Sequence, residues 1–204
     1  METRFAKIIS LLLHPLLMPT YGFALLFFTD NYIGNFTEQN YKYLILLVTF
    51  FFTFVLPALN AVILLKLNRI SSLEMDDPRE RVVPYGSTAL YYFTLFYLFW
   101  RNQFPSIFQI LILGAGLSIL LSLFINFRWK ISAHSVGIGG IAGAVLGIMY
   151  RMQIDLELIF ICVILAAGLI GYARLKLAAH GPSQVYSGFI LGFITELLLM
   201  IFYQ

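Results

Sequence analysis

Two of the three histidines in this 204-residue chain sit in short polar stretches crowded with cations. His134 closes the run Arg128-Trp129-Lys130-Ile131-Ser132-Ala133. His180 follows Arg174 and Lys176 and precedes Gly181-Pro182-Ser183-Gln184. A third stretch, 67–84, brings Arg79 and Arg81. An imidazole can pass a proton or attack an electrophile near neutral pH. A guanidinium is always charged and forks onto phosphate oxygens. Histidines with several cations therefore suit a phosphoryl group. The position of His134 at a helix start adds free backbone N–H groups, which favour an anion. Gln184 lies four residues beyond His180, and the turn at Gly181-Pro182 can fold it back to orient one imidazole nitrogen while the other stays free.

Each feature also has a plainer reading. Arg79 and Arg81 can belong to a solvated loop balanced by Glu74, Asp76, Asp77 and Glu80. Arg128, Trp129 and Lys130 can be an interfacial anchor, and Arg174 a snorkelling helix end. His134 alone can be a capping or packing residue. His14, beside Pro15, reads as structural in a kinked segment. Asn60 and Glu196 are expected to face the interior and make packing hydrogen bonds. What favours chemistry is the coincidence of the stretches.

Hydropathy explains how they can coincide. The chain is 60% hydrophobic and 11% charged, against roughly 25% charged in soluble domains, and its mean hydropathy is +0.87. The sequence predicts an all-α polytopic transmembrane bundle of six or seven helices, one membrane domain over 1–204. The expected segments are 6–29, 41–66, 86–100, 106–127, 134–150, 156–178 and 183–203; a bilayer core of ~30 Å needs about 20 apolar residues, so the third and fifth are short and are expected to be tilted with their flanks or partly embedded. The first, with His14, Pro15 and Pro19, is expected to be broken or re-entrant. It is read as retained, not as a cleaved signal, since the prolines interrupt it and no small-residue cleavage site follows. Two spans separate each polar stretch from the next, so 67–84, 128–133 and 174–182 share one face with the N-terminus. The intervals 30–40, 101–105 and 151–155 take the other face with the C-terminus. Gly139, Gly143 and Gly147 form a small-residue stripe for close helix packing. The single cysteine, Cys162, excludes a disulfide framework and a CxxC metal site. The net charge of +3 comes without a basic stripe interleaved with exposed aromatics, which argues against nucleic acid.

From the first polar stretch to the last helix, the chain resembles the type 2 phosphatidic acid phosphatase superfamily of membrane lipid phosphatases, and within it a group of small bacterial membrane members. Ile131-Ser132-Ala133-His134 resembles the family's Pro-Ser-Gly-His motif. Arg174 through His180 to Gln184 resembles its Ser-Arg-x5-His-x3-Asp motif, and Arg79–Pro84 is a weaker match to Lys-x6-Arg-Pro. The resemblance implies hydrolysis of a lipid-linked phosphate or diphosphate through a phosphohistidine, without metal or other cofactor. It implies His180 as nucleophile, His134 as general acid and Gln184 as the orienting residue. Arg174, Arg79, Arg81, Ser132 and Lys130 would bind phosphate. The implied partners are a membrane lipid phosphate and the bilayer, and the implied location is the inner (cytoplasmic) membrane, multi-pass.

The chain departs from the family pattern. Gln184 replaces an aspartate, so the tautomer can be fixed without the negative charge that stabilises an imidazolium. Ile131 and Ala133 replace proline and glycine, and Asp76 stands where the first motif carries lysine. Two other functions fit the residues. One is a non-catalytic lipid-phosphate binder, suggested by Gln184. The other is a magnesium-dependent prenyltransferase using Asn68, Asp76, Asp77, Arg79, Arg81 and Pro84. Lys and Arg are denser on the site-bearing face, which by the positive-inside rule points to the cytoplasm. The family's bacterial members point to the opposite side.

Overall fold

The computed structural model describes residues 2–29, 32–75 and 77–203, which form helices and no strands. The first segment is broken, as its prolines predict. Helix α1 (Glu2–Leu12) gives way to a single 3-10 turn (Pro15–Leu17) and then to α2 (Met18–Phe28). Pro15 cannot donate to the preceding turn. His14 caps the new start instead, its Nδ1 accepting the Leu16 N–H at 3.3 Å.

After a short α3 (Tyr32–Phe36), helix α4 (Gln39–Phe50) passes through a π turn (Phe51–Val55) into α5 (Leu56–Lys66). Pro57 has no N–H for the carbonyl of Thr53 four residues back, and the Tyr92 hydroxyl donates to that carbonyl at 3.3 Å. A 3-10 turn (Pro78–Arg81) leads into α6 (Val82–Arg101). Then follow α7 (Ser106–Asn126), α8 (Ala133–Met152), α9 (Glu157–Lys176) and α10 (Pro182–Phe202). The third and fifth segments, expected to be short, each reach 20 residues. Pro84 lies within the first turn of α6, where a missing N–H breaks no helical bond, so α6 starts before it.

Six of these stretches are long and apolar enough to cross a membrane among the described residues, counting Glu2–Phe28 and Gln39–Lys66 each as one. Helix α6 matches them in length, but its four tyrosines make it more polar. The chain is therefore an all-α multi-pass membrane bundle.

Helices α8 and α10 run parallel in close contact, and the glycine stripe makes this possible. A Cβ at Gly139 would meet the carbonyl of Phe189, one at Gly143 that of Phe193, and one at Gly147 the side chain of Met200. Helix α10 reciprocates at Gly188, against Ser132, and at Gly192, against Val136. Both helices start at the polar face, so their contact fixes the His134 and His180 segments relative to each other. Gly139→Val should overpack this seam and cost about 1–3 kcal/mol, read as a lowered Tm in detergent. An unchanged Tm would contradict the packing.

Candidate active site

The loops meet as the even spacing of the spans requires. The N–H of Ser132, before α8, donates to the carbonyl of Gln184 in α10 at 3.3 Å. Asn126, ending α7, donates through Nδ2 to the Pro78 carbonyl at 2.6 Å. Lys176, ending α9, pairs with Glu2 at the start of α1. At the other end, Arg151 donates to the carbonyls of Met200 and Tyr203, and Tyr41 stacks on Phe104.

Between the helices at the polar face opens a cavity of about 930 Å³. Its wall includes His14, Arg81, Lys130, His134, Arg174 and His180. His134 and His180, 46 positions apart in sequence, thus face one space together with Arg81, Lys130 and Arg174.

The loop before α10 shows how His180 is aimed. Helix α9 ends in a Schellman motif: the Ala179 N–H donates to Arg174 O at 3.2 Å and the Ala178 N–H to Leu175 O at 3.0 Å. Ala178 takes the left-handed conformation, φ 50°, that this motif needs and that glycine usually supplies. The chain then turns at Gly181-Pro182. Gln184 folds back as expected, and its Oε1 accepts both the Gly181 N–H at 3.0 Å and Nδ1–H of His180 at 3.2 Å. A side-chain carbonyl oxygen only accepts, so this contact places the ring proton on Nδ1 and leaves Nε2 with its lone pair.

His180 is buried, with 7% exposure. Burial, then the charges of Arg174, Arg81 and Lys130, lower its imidazole to about 4, and the Gln184 hydrogen bond opposes them only in part. The ring is therefore neutral at pH 7, the state a nucleophile needs. A histidine-labelled NMR titration should place the His180 midpoint near pH 4, not near the ordinary ~6.5. Between those values the unfolded chain binds this proton and the folded chain does not. His180 thus makes stability fall as pH drops from about 6.5 to 4. A midpoint near 6.5 would contradict the described environment.

His134 is held by a residue that its own neighbourhood does not announce. Its Nε2 lies 3.0 Å from the Ser10 carbonyl in α1, an acceptor, so Nε2 carries a proton there. The Ser10 hydroxyl accepts from Arg174 Nη1 at 3.4 Å. Ser10 thus joins the His134 and Arg174 segments from below. His14 is more than a kink residue, since its ring packs edge-on against His134, centroids 5.6 Å apart, and it lines the cavity. The apolar run around Ser10 and the proline beside His14 suggested only structure.

The remaining site candidates separate. Arg81 is 7% exposed, lines the cavity, and donates through Nε to the Met75 carbonyl at 2.8 Å. Arg79 is exposed and is not in the wall. The Asp77 carboxylate instead caps its backbone N–H at 2.9 Å, inside a one-turn helix that points the two arginines apart. Ser132 is fully buried as the N-cap of α8, its Oγ accepting from the Ser135 N–H at 3.4 Å and lying 3.0 Å from Ser135 Oγ. It shapes the helix start that carries His134 and does not line the cavity. Gln184 contacts His180 and does not line the cavity.

The acidic residues of the first loop serve that loop. Asp77 caps it, and Glu80 accepts from the Ser71 N–H and hydroxyl at 2.9 and 3.0 Å. Asp76 lies outside the described residues. Among the described residues no three His, Cys, Asp or Glu side chains are grouped as a metal site would need. Asn60 makes the expected packing bond, Nδ2 to Ser87 Oγ at 2.6 Å. Glu196 does not follow that expectation. It is 3% exposed, lines the cavity, and its Oε2 has no hydrogen-bond partner.

Fold and site together define a multi-pass membrane protein with paired imidazoles and clustered cations opening at one interface. The family model of the PAP2 superfamily matches residues 124–204, the stretch from the end of α7 through α10 that carries both the His134 and the His180 segments, as expected of a member of that superfamily. No curated protein and no solved structure matches the chain.

Proposed function

We propose that the chain is a membrane phosphatase that hydrolyses a lipid-linked phosphate or diphosphate at the His134–His180 cavity, in the cytoplasmic membrane. The observation that carries this reading is the convergence of His180, His134, Arg174, Arg81 and Lys130 on one cavity, with His180 Nε2 left free by the Gln184 contact. The cavity opens between helices, so a headgroup can enter while its chains remain in lipid.

In the first step Nε2 of His180 attacks phosphorus, an N–P bond forms and the bond to the lipid oxygen breaks. His134, protonated on Nδ1 as well as on the Nε2 that faces Ser10, passes the Nδ1 proton to that oxygen and becomes neutral, releasing a lipid alcohol, or a lipid monophosphate from a diphosphate. In the second step water attacks phosphorus and the N–P bond breaks. His134 takes the proton from water, leaving inorganic phosphate and free His180. Arg174, Arg81 and Lys130 neutralise the oxygens that gather charge as phosphorus is attacked.

Purified protein should release phosphate from at least one member of a panel of lipid phosphates, equally with and without EDTA. Activity abolished by EDTA would favour the metal-dependent alternative.

A second reading, a lipid-phosphate binder without turnover, draws on Gln184. Its Oε1 already serves Gly181 as well as His180, and it offers no negative charge to an imidazolium. Gln184→Glu decides how much that charge matters. It keeps the geometry and adds the missing carboxylate, so kcat should rise by about tenfold or more, because loss of the carboxylate in a His–acid pair can cost several orders of magnitude. Headgroup binding with no release from any lipid phosphate, by wild type or by Gln184→Glu, would establish the binder.

A further inference from the structure

The cavity does not end at the phosphate site. Its wall runs inward past Ser122 and Ser118 of α7 to Glu196 of α10. Ser118 and Ser122 are 4% and 3% exposed, and Glu196 is 3% exposed. The Ser122 hydroxyl bonds to the Ser118 carbonyl at 2.7 Å, but Ser118 Oγ and Glu196 Oε2 have no partner. Two almost fully buried residues of one cavity wall, inside the apolar bundle, therefore each hold a polar atom without a partner. An intramembrane carboxyl is costly to retain and marks function by default. The bundle also makes room for it, since a Cβ at Gly114, four residues before Ser118, would collide with the Glu196 carboxyl.

The depth of this carboxyl follows from the parallel seam. Gly140 of α8 lies beside Glu196 Cγ, where an added Cβ would stand 3.5 Å away. Gly140 is six residues after His134, so Glu196 sits about 9 Å below His134 along the helix axis, at ~1.5 Å per residue. A phosphate held between His134 and His180, the latter about 21 Å above Glu196 along α10, directs the next bonds of its lipid toward this level. In a glycerol-based lipid those bonds carry ester or hydroxyl oxygens. In a polyprenyl phosphate they carry hydrocarbon alone, which would leave Glu196 and Ser118 unpaired.

We propose that Glu196, with Ser118, is a specificity-determining contact that hydrogen-bonds the backbone oxygens of a glycerol-based lipid phosphate and disfavours polyprenyl phosphates. The proposal rests on the placement of the lipid phosphate in the cavity argued above. A hydroxyl can pair with a carboxyl in either protonation state, and an ester carbonyl pairs with one that holds its proton.

Native mass spectrometry of the detergent-solubilised protein with phosphatidate or a polyprenyl phosphate reads binding without turnover. Wild type should retain phosphatidate about tenfold more tightly. Glu196→Leu should remove that preference, and Glu196→Gln, which keeps a donor and an acceptor, should preserve most of it. In parallel, Glu196→Leu should raise KM for phosphatidate and leave that for the polyprenyl phosphate unchanged. Equal retention of the two lipids by wild type, or equal losses for both in Glu196→Leu with Glu196→Gln no better, would overturn the proposal. Selective binding of phosphatidate without phosphate release would uphold this contact while sinking the hydrolase reading, so the two failures are distinguishable.

Discussion

His180→Ala should lower phosphate release by at least about three orders of magnitude, because loss of a nucleophile removes the covalent route entirely and leaves only binding and electrostatics. The same variant should still bind inorganic phosphate within a few-fold of wild type, since Arg174, Arg81 and Lys130 remain in the cavity wall. The imidazole is neutral near pH 7, so its removal takes away no cation. Paired measurements of release and of phosphate binding check this. Release that survives the substitution would place the chemistry elsewhere.

Arg174→Leu should act in the other order. Arg174 is the charge that most depresses His180 after burial itself, and it reaches the cavity from the last turn of α9. Removing a cation aimed at charge that develops on phosphoryl oxygens costs about 10²–10³ in kcat, by analogy with loss of one oxyanion-hole donor. Phosphate binding should weaken with it, unlike in His180→Ala. The His180 titration midpoint should move upward from about 4. Arg174→Lys should recover part of the binding but less of the rate, because an ammonium lacks the planar fork. Wild-type kcat in Arg174→Leu would remove this residue from the site.

The convergence of His134 and His180 was legible in the sequence because hydropathy spaces their loops by two crossings, and two crossings return a chain to the same face. The Gln184 fold-back was legible from the Gly181-Pro182 turn. Arg79 and Arg81 look equivalent in sequence, and a single 3-10 turn separates them, burying Arg81 and exposing Arg79. Ser132 carries the right side chain, but the helix start needed that oxygen for its own N–H groups. Ser10 and His14 lay hidden because a kinked first segment approaches α8 only after the bundle has packed, and no local pattern in α1 records it. Ala178 adopts a left-handed conformation without being glycine, so the Schellman turn that aims His180 left no glycine to read. Glu196 was read as a packing residue because the cavity beneath the site exists only once α7, α8 and α10 are assembled.

The most direct test of the account is to trap the intermediate. Protein mixed with a lipid phosphate labelled in the phosphoryl group and quenched within a turnover should carry acid-labile, alkali-stable label on the peptide containing His180. That label should be absent in His180→Ala. Steady turnover with no label on His180, or with label on another residue, would contradict the assignment of His180 as the nucleophile.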